Sequence, residues 1–470
     1  MRRKTLALVV VLCFFGAFVA ETTAAEYRSV VIKGVPHIRQ KPDFCGEACA
    51  AMYLRKLGKA TDQDAVFDKA ELAPTLGRGC YTRDLSVALK NIGFDIGSTW
   101  HRIAATDAAA ELEGQFNALH KDLTDGVPSI LCMHYDDRPN TTEHFRLIVG
   151  YDATKDEVLY HEPAMKDGGY LRMKRSLLLK LWPLKYGRKT WTVVRMLLKA
   201  GQLHIADTSV GFTDADYAQH IMKLKRKIPS SGFHIVIQKP FVVIGDESAR
   251  TVKERSTRSI QWAADKLKAV YFKKDPQHIL DIWLFKDRDS YQENTKKIFN
   301  DTPTTPYGYY SSYHRALVMN ISTGSGTLVH EIVHPFIESN FPSCPSWFNE
   351  GLASLYEQCG EKNGRITGFT NWRLNGLQQA IGRNTVPSFK TMCGTTRQQF
   401  YNEDKGTNYS QARYLCYYLQ EKGLLAKYYH AFVKNAKTDP TGYKTLQEIL
   451  DADDMAKFQK NWQRWVMALR

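Results

Sequence analysis

The stretch that most narrows what this chain can become is Thr327-Leu328-Val329-His330-Glu331-Ile332-Val333-His334. Residues four apart lie on one helix face, so His330 and His334 can point at a single ion. Glu331 sits beside them, where a carboxylate can take a proton from a water. Sixteen residues after His334 comes Glu350, in Trp347-Phe348-Asn349-Glu350-Gly351-Leu352-Ala353. Pro342 and Pro345 precede a second helical pattern over 345–357, with Glu350 in its first turns. Two nitrogens, one oxygen and an open fourth position describe a catalytic zinc site, not a closed structural one. The competing reading is two core histidines on an amphipathic helix. A carboxylate buried beside them with no cation would then be costly.

His330-Glu331-x-x-His334 followed by Asn349-Glu350-Gly351-Leu352-Ala353 resembles the gluzincin metallopeptidases, whose third ligand is a glutamate on the following helix. The resemblance covers residues 232–470. It implies an α+β zincin lobe, zinc on His330, His334 and Glu350, and Glu331 as general base. Some members place a tyrosine where its hydroxyl steadies an oxyanion, and Tyr409 in Asn408-Tyr409-Ser410-Gln411 is the residue named for it. Pro335 departs from a regular helix: it removes a hydrogen bond, so a bend is expected just past His334. Upstream, β runs stand at 233–237, 241–244, 280–285 and 317–321. Between them Val252, Ile260, Ala263, Leu267 and Val270 recur at helical intervals. Strands first and helices after is the order of an α+β lobe. Tyr307-Gly308-Tyr309-Tyr310 reads as a flexible aromatic loop.

The amino-terminal third carries a different pattern. Cys45 to Leu57 has helical spacing and Gly58 as a stop, so Cys45 stands at a helix N-terminus, where the dipole favours a thiolate. Gln40, five residues earlier, can offer its amide to an oxyanion. The runs 143–152 and 159–163 read as a hairpin that brings His144 and Glu162 to one end. His144 and His161 are the candidate bases for Cys45, and Glu162 can orient the His144 ring. This order of Gln40, Cys45-Gly46, His144 and Glu162-Pro163 is similar to the papain-like bacteriocin-processing cysteine peptidases, which cut leader peptides after a double glycine. The resemblance covers residues 33–200 and implies Cys45 as nucleophile, His144 as base and Gln40 as oxyanion donor. Where that family shows Asp before Pro, this chain has Glu162, one methylene longer. The transporter segment of that family is not present in this sequence, so its export-coupled role does not carry over. A structural Cys45, buried or paired with Cys49 or Cys80, is the alternative.

Met1-Arg2-Arg3-Lys4 followed by an apolar run to Ala20 and small residues at Ala24 and Ala25 reads as an export signal, residues 1–25. An export route, to periplasm or exterior, permits disulfides among the eight cysteines past it. Cys49 with Cys80 and Cys344 with Cys359 are example pairings. Polar composition over 201–231 marks a linker between residues 26–200 and 232–470. Net charge is +15 (64 Lys+Arg against 49 Asp+Glu), which suits an anionic cell surface. The basic residues are scattered and no nucleic-acid motif appears, so nucleic acid is not an expected partner; no membrane span is expected after the signal. Three function classes follow. One is a peptidase with a zinc site and a thiol site acting on peptide or protein. Another has one working site beside a peptide-binding module. The last is a non-enzymatic surface-binding protein.

Overall fold

The computed structural model describes residues 27–205, 211–229, 231–403 and 407–470. The expected signal segment 1–25 lies outside them. The chain divides into two compact units. The first runs to Ala70 and resumes at Cys80; the second takes Glu71–Gly79 and everything from Ser209 onward.

In the first unit an antiparallel sheet is built from β1 (Val30–Val31), β2 (Trp100–Ala104), β3 (Ser129–His134), β4 (Glu143–Asp152), β5 (Glu157–His161), β6 (Leu171–Lys174) and β7 (Thr190–Leu197). Its order is β2-β7-β3-β4-β5-β6, with β1 added on β4. Helix α1 (Cys45–Lys56) packs on β4, and Gly46 explains how closely. A Cβ there would stand 2.5 Å from the buried Leu85 side chain and 3.1 Å from the Phe145 ring. The β4–β5 hairpin pairs Leu147 with His161. That register sets Arg146 level with Glu162, and His144, two residues on, shares Arg146's face.

The second unit centres on a mixed sheet of β8 (His234–Gln238), β9 (Phe241–Gly245), β10 (Leu280–Phe285), β11 (Gly308–Ser311) and β12 (Ala316–Asn320), in the order β8-β9-β10-β12-β11. The inner strands β9, β10 and β12 run parallel and are buried along their whole length. Strands covered on both faces need continuous apolar runs, which Phe-Val-Val-Ile and Leu-Asp-Ile-Trp-Leu-Phe supply. One face packs Val242, Ile244, Trp283, Phe285 and Val318 against α2 (Asp214–Lys225) through Tyr217, Ile221 and Leu224. The stretch expected as a linker over 201–231 therefore contributes a core helix. Its apolar stripe is narrow and hidden among charges, so composition alone reads it as solvated. The other face packs Phe241, Val243, Ile282, Leu284, Leu317 and Met319 against a long helical run and against the histidine helix.

That long run is α3 (Ala249–Arg255), a π-helical segment Ser256–Gln261, and α4 (Trp262–Val270). The histidine helix, α5 (Gly326–Asn340), continues through Pro335 to Asn340. Leu328, Val329, Ile332, Val333 and Phe336 seal it to the sheet. Helix α6 (Ser346–Leu355) follows and packs on a late helix, α8 (Asn408–Glu421), with the short α7 (Arg397–Asn402) before it. Residues 308–310, part of the stretch 307–310 expected as a loop, join Ser311 in β11, an edge strand antiparallel to β12. The aromatic residues there suit a half-buried strand, and only Tyr307 stays outside it. Cys49, Cys344 and Cys359 are unbridged thiols, so neither suggested disulfide forms.

Gly326, the first residue of α5, is the tightest joint in this unit. A Cβ at Gly326 would lie 2.1 Å from the Glu357 carbonyl oxygen, which is backbone and cannot swing aside. Gly326→Ala is expected to lower second-unit stability by about 1–3 kcal/mol through overpacking. The helix-propensity gain of about 1 kcal/mol does not offset that. Thermal unfolding of both proteins checks it; an equal or higher midpoint for the variant would show that the joint is slack.

Candidate functional site

Helix α5 sets His330 and His334 on one face with their ring centroids 4.9 Å apart. Helix α6 brings Glu350 to them. His330 Nε2 lies 3.3 Å from Glu350 Oε2, and His334 Nε2 lies 4.0 Å from Glu350 Oε1. One donor atom from each residue falls within 4.8 Å of the others, and all three side chains are buried. Glu350 Oε2 meets His330 without hydrogen-bond geometry and has no other partner. A buried carboxylate with one oxygen on each of two imidazole nitrogens, Oε2 toward His330 and Oε1 toward His334, is the chemistry of a divalent-metal site, and the donor set fits one.

The surroundings orient these donors. His334 Nδ1 donates to Asn349 Oδ1 at 2.9 Å, and His330 Nδ1 faces Glu357 Oε1 at 3.3 Å. Each histidine is thereby turned so that Nε2 looks inward, the role outer partners take at metal sites. Glu357 is held by Arg373 (2.7 and 2.9 Å) and by Asn371 Nδ2 at 3.1 Å. Burial alone would raise the Glu357 carboxyl, but Arg373 and His330 hold it down at about 2. Glu350 behaves alike: burial raises it, and His330, His334 and the Tyr401 hydroxyl bring it to about 2. Tyr401 donates to Glu350 Oε1 at 2.6 Å. Glu331 goes the other way. Its burial outweighs both imidazoles, so its carboxyl lies above the ordinary range, while Tyr310 N–H donates to Oε2 at 3.0 Å from the edge strand.

His330 and Glu331 line a cleft of about 1010 Å³, together with Tyr409, Glu357, Arg373 and the first turn of α5. Tyr409 faces this cleft with Arg373 over its ring at 5.1 Å. Burial and the nearby Glu350 charge raise its hydroxyl, which stays a neutral donor.

In the first unit, β4 and the end of β5 bring His144 and Glu162 together. His144 Nε2 and Glu162 Oε1 are 2.5 Å apart. Arg146 Nε donates to the other oxygen, Oε2, at 2.7 Å. Glu162 is buried, which would raise it, yet the His144 hydrogen bond, the His144 charge and Arg146 leave it below its ordinary range. Gln40 N donates to Pro163 O at 2.8 Å, which ties Gln40 to the Glu162 turn, while its side-chain Oε1 is buried without a hydrogen-bond partner. The Cys45 thiol lies by β4, near the Phe145 amide. Among the described residues no hydrogen bond joins Cys45 to His144. The helix end was expected to favour a thiolate, but burial pushes the thiol up to about 12, the Phe145 amide offsets only part, and Glu47 and Asp43 add to the rise. Desolvation of a charged sulfur outweighs one helix terminus.

Arg146, Glu357, Arg373 and Tyr401 are site residues that the sequence reading passed over. Arg146 was within reach, being two residues from His144 on one strand. Glu357 was too, since the helical pattern over 345–357 includes it seven residues after Glu350, although α6 itself ends at Leu355. Tyr401 lies on a separate short helix with no motif around it. It is Tyr401, not Tyr409, that hydrogen-bonds Glu350.

Residues 32–189 match the Peptidase_C39 like family. This C39-like region contains Gln40, Cys45, His144 and Glu162, and the match supports a papain-like first domain of peptidase type. No curated protein matches the chain.

Two predictions come from these contacts. Glu357→Gln and Tyr401→Phe each remove an outer support, and each is expected to weaken metal binding about 10–100-fold in chelator competition. Unchanged affinity in both would sever the outer contacts from the site. In the C39-like unit, Glu47 is fully buried, and burial raises its carboxyl to about 7 although the Cys80 amide donates to it at 2.7 Å. Unfolding releases that proton between about 4.5 and 7, so wild-type stability falls as pH rises through this window. The gain in melting temperature of Glu47→Gln over wild type should grow from pH 4.5 to 7 and level off above. A gain independent of pH would contradict a proton held on Glu47.

Proposed function

We propose that this protein is an exported peptidase with two hydrolytic sites, a zinc site on a gluzincin-like second unit and a thiol site on the C39-like unit. The observation that carries the zinc reading is the convergence of two inward Nε2 atoms and the buried Glu350 carboxylate, one oxygen of which has no hydrogen-bond partner, beside the buried Glu331. His330, His334 and Glu350 would hold the ion, which when bound supplies a Lewis acid able to polarise a peptide carbonyl and acidify water.

Glu331 is the proton acceptor. Its Oε2 is anchored by the Tyr310 amide, so Oε1 takes the proton from the attacking water and returns it to the leaving amine. Tyr409, a neutral donor on the cleft wall, offers its hydroxyl to the oxygen on which negative charge builds. Tyr401 and Glu357 keep the donors in place.

At the thiol site, Glu162 fixes His144 through Nε2, which leaves Nδ1 to receive the Cys45 proton. Because the thiol is raised by its surroundings, that transfer belongs to the substrate-bound state, not to a standing ion pair. Gln40 serves the oxyanion through its side-chain amide. The +15 charge supports contact with an anionic cell surface, and the basic-then-apolar start of the chain supports export. Among the described residues no helix is long and apolar enough to cross a membrane.

Metal analysis and hydrolysis of denatured protein test both sites. Wild type and Cys45→Ala should hold about one zinc per chain, and Glu350→Ala much less. Glu331→Gln should keep its zinc and lose about 10²–10⁴-fold in zinc-dependent turnover. Equal metal in wild type and Glu350→Ala would remove the site, and full chelator resistance of all activity would leave only the thiol reading.

A further inference from the structure

The cleft that holds His330 and Glu331 has four arginine or carboxylate side chains in its lining: Arg258, Glu331, Glu357 and Arg373. Glu357 and Arg373 satisfy one another. Glu331 is committed to the chemistry. Arg258 remains. It is exposed, and among the described residues no hydrogen bond or ion pair engages its guanidinium. Nearby acids are taken: Glu254 accepts from Arg250 at 3.0 Å and feels Arg258 only through its charge, and Glu361 pairs with Lys266 at 3.0 Å and accepts from Trp262 Nε1 at 3.3 Å.

Arg258 is held on the cleft wall by the backbone. It lies in the π-helical segment Ser256–Gln261, between two α-helical stretches. A π-turn is wider than an α-turn, so here the buried face recurs every four residues: Val252, Ser256, Ile260 and Ala264. Ser256 is fully buried and its hydroxyl donates to Gln238 Oε1 at 3.2 Å, which pins the turn to β8. Arg258 and Trp262, four residues apart, then both line the cleft. Exposed aromatic faces at Tyr307 (52%) and Trp372 (65%) line it as well, so the surface around the cation suits an extended peptide.

We propose that Arg258 is a specificity residue that reads a carboxylate on the peptide bound in this cleft. The guanidinium fork matches a carboxylate with two parallel hydrogen bonds, which a neutral amide cannot reproduce. The carboxylate comes from an Asp or Glu side chain or from a free C-terminus. The assignment rests on the peptide-cleft reading above, and its binding arm does not depend on turnover.

The test uses the full chain and hexapeptides that differ only by Glu or Gln at each position in turn, each made as free acid and as C-terminal amide. Dissociation constants are measured for wild type, Arg258→Gln and Arg258→Lys, with cleavage read in parallel by mass spectrometry. Wild type is expected to prefer at least one carboxylate over its amide about tenfold, and Arg258→Gln to reduce that ratio to about one. Arg258→Lys should retain part of it. A preference confined to the free-acid arm assigns the C-terminus, and one confined to the Glu arm a side chain. Equal binding of all pairs by wild type, no binding of any peptide, or a ratio that survives Arg258→Gln overturns the proposal. If the charge preference follows Arg258 while zinc-loaded protein cleaves no peptide, the specificity assignment stands and the hydrolytic reading of this site falls.

Discussion

A carboxylate withdrawn from water must meet positive charge or several donors, and the second unit is arranged around that demand. Glu350 is buried at the junction of two helices, with one oxygen held by Tyr401 and near His334 and the other turned toward His330. Everything nearby serves to hold this arrangement. The sheet fixes α5, a glycine lets the start of α5 approach the Glu357 backbone, and Arg373 keeps Glu357 charged beside His330. Take away the need to neutralise Glu350 and the neighbouring buried polar groups lose their reason to be there.

The two sites use the same device with opposite ring atoms. In both, a buried carboxylate sits on one nitrogen of a histidine and is itself held by an arginine. In the first unit Glu162 sits on Nε2 of His144 and leaves Nδ1 for the cysteine side. In the second Glu357 faces Nδ1 of His330 and leaves Nε2 for the shared centre. Which nitrogen is left free is thus decided by where the supporting acid stands: across a hairpin in one unit, just past the end of the next helix in the other. In each unit burial raises the acid's carboxyl, and the histidine and arginine on it together bring it below its ordinary range.

Much of this was legible in the residues. Helical spacing placed His330 and His334 on one face, and the hairpin pattern brought His144 to Glu162, because these are short-range consequences of backbone period. What escaped was of three kinds. The helix at 214–225 shows a stripe too thin to separate from its charges. The edge strand at 308–311 begins at a glycine amid tyrosines that resemble a loop. Tyr401 and Arg373 reach the centre only through tertiary packing, from helices whose own sequences give no sign of a nearby site. The thiol is instructive in another way. Its helix-terminal position was readable, while the desolvation that governs its proton depends on neighbours scattered from Asp43 to Phe145.

Nine residues, Glu71–Gly79, interrupt the first unit's sequence and belong to the second. Within the second unit the turn Pro74–Leu76 meets the helix Asp214–Lys225, where Lys225 Nζ donates to Leu76 O at 2.7 Å and Gly77 lies against Ile221. The two units are therefore not beads on a string. A gene fragment starting near residue 209 would encode a second unit that lacks one of its own pieces, and a single breakpoint there would carry that piece away with the first unit. Whatever ancestry joined them, their inheritance is now linked.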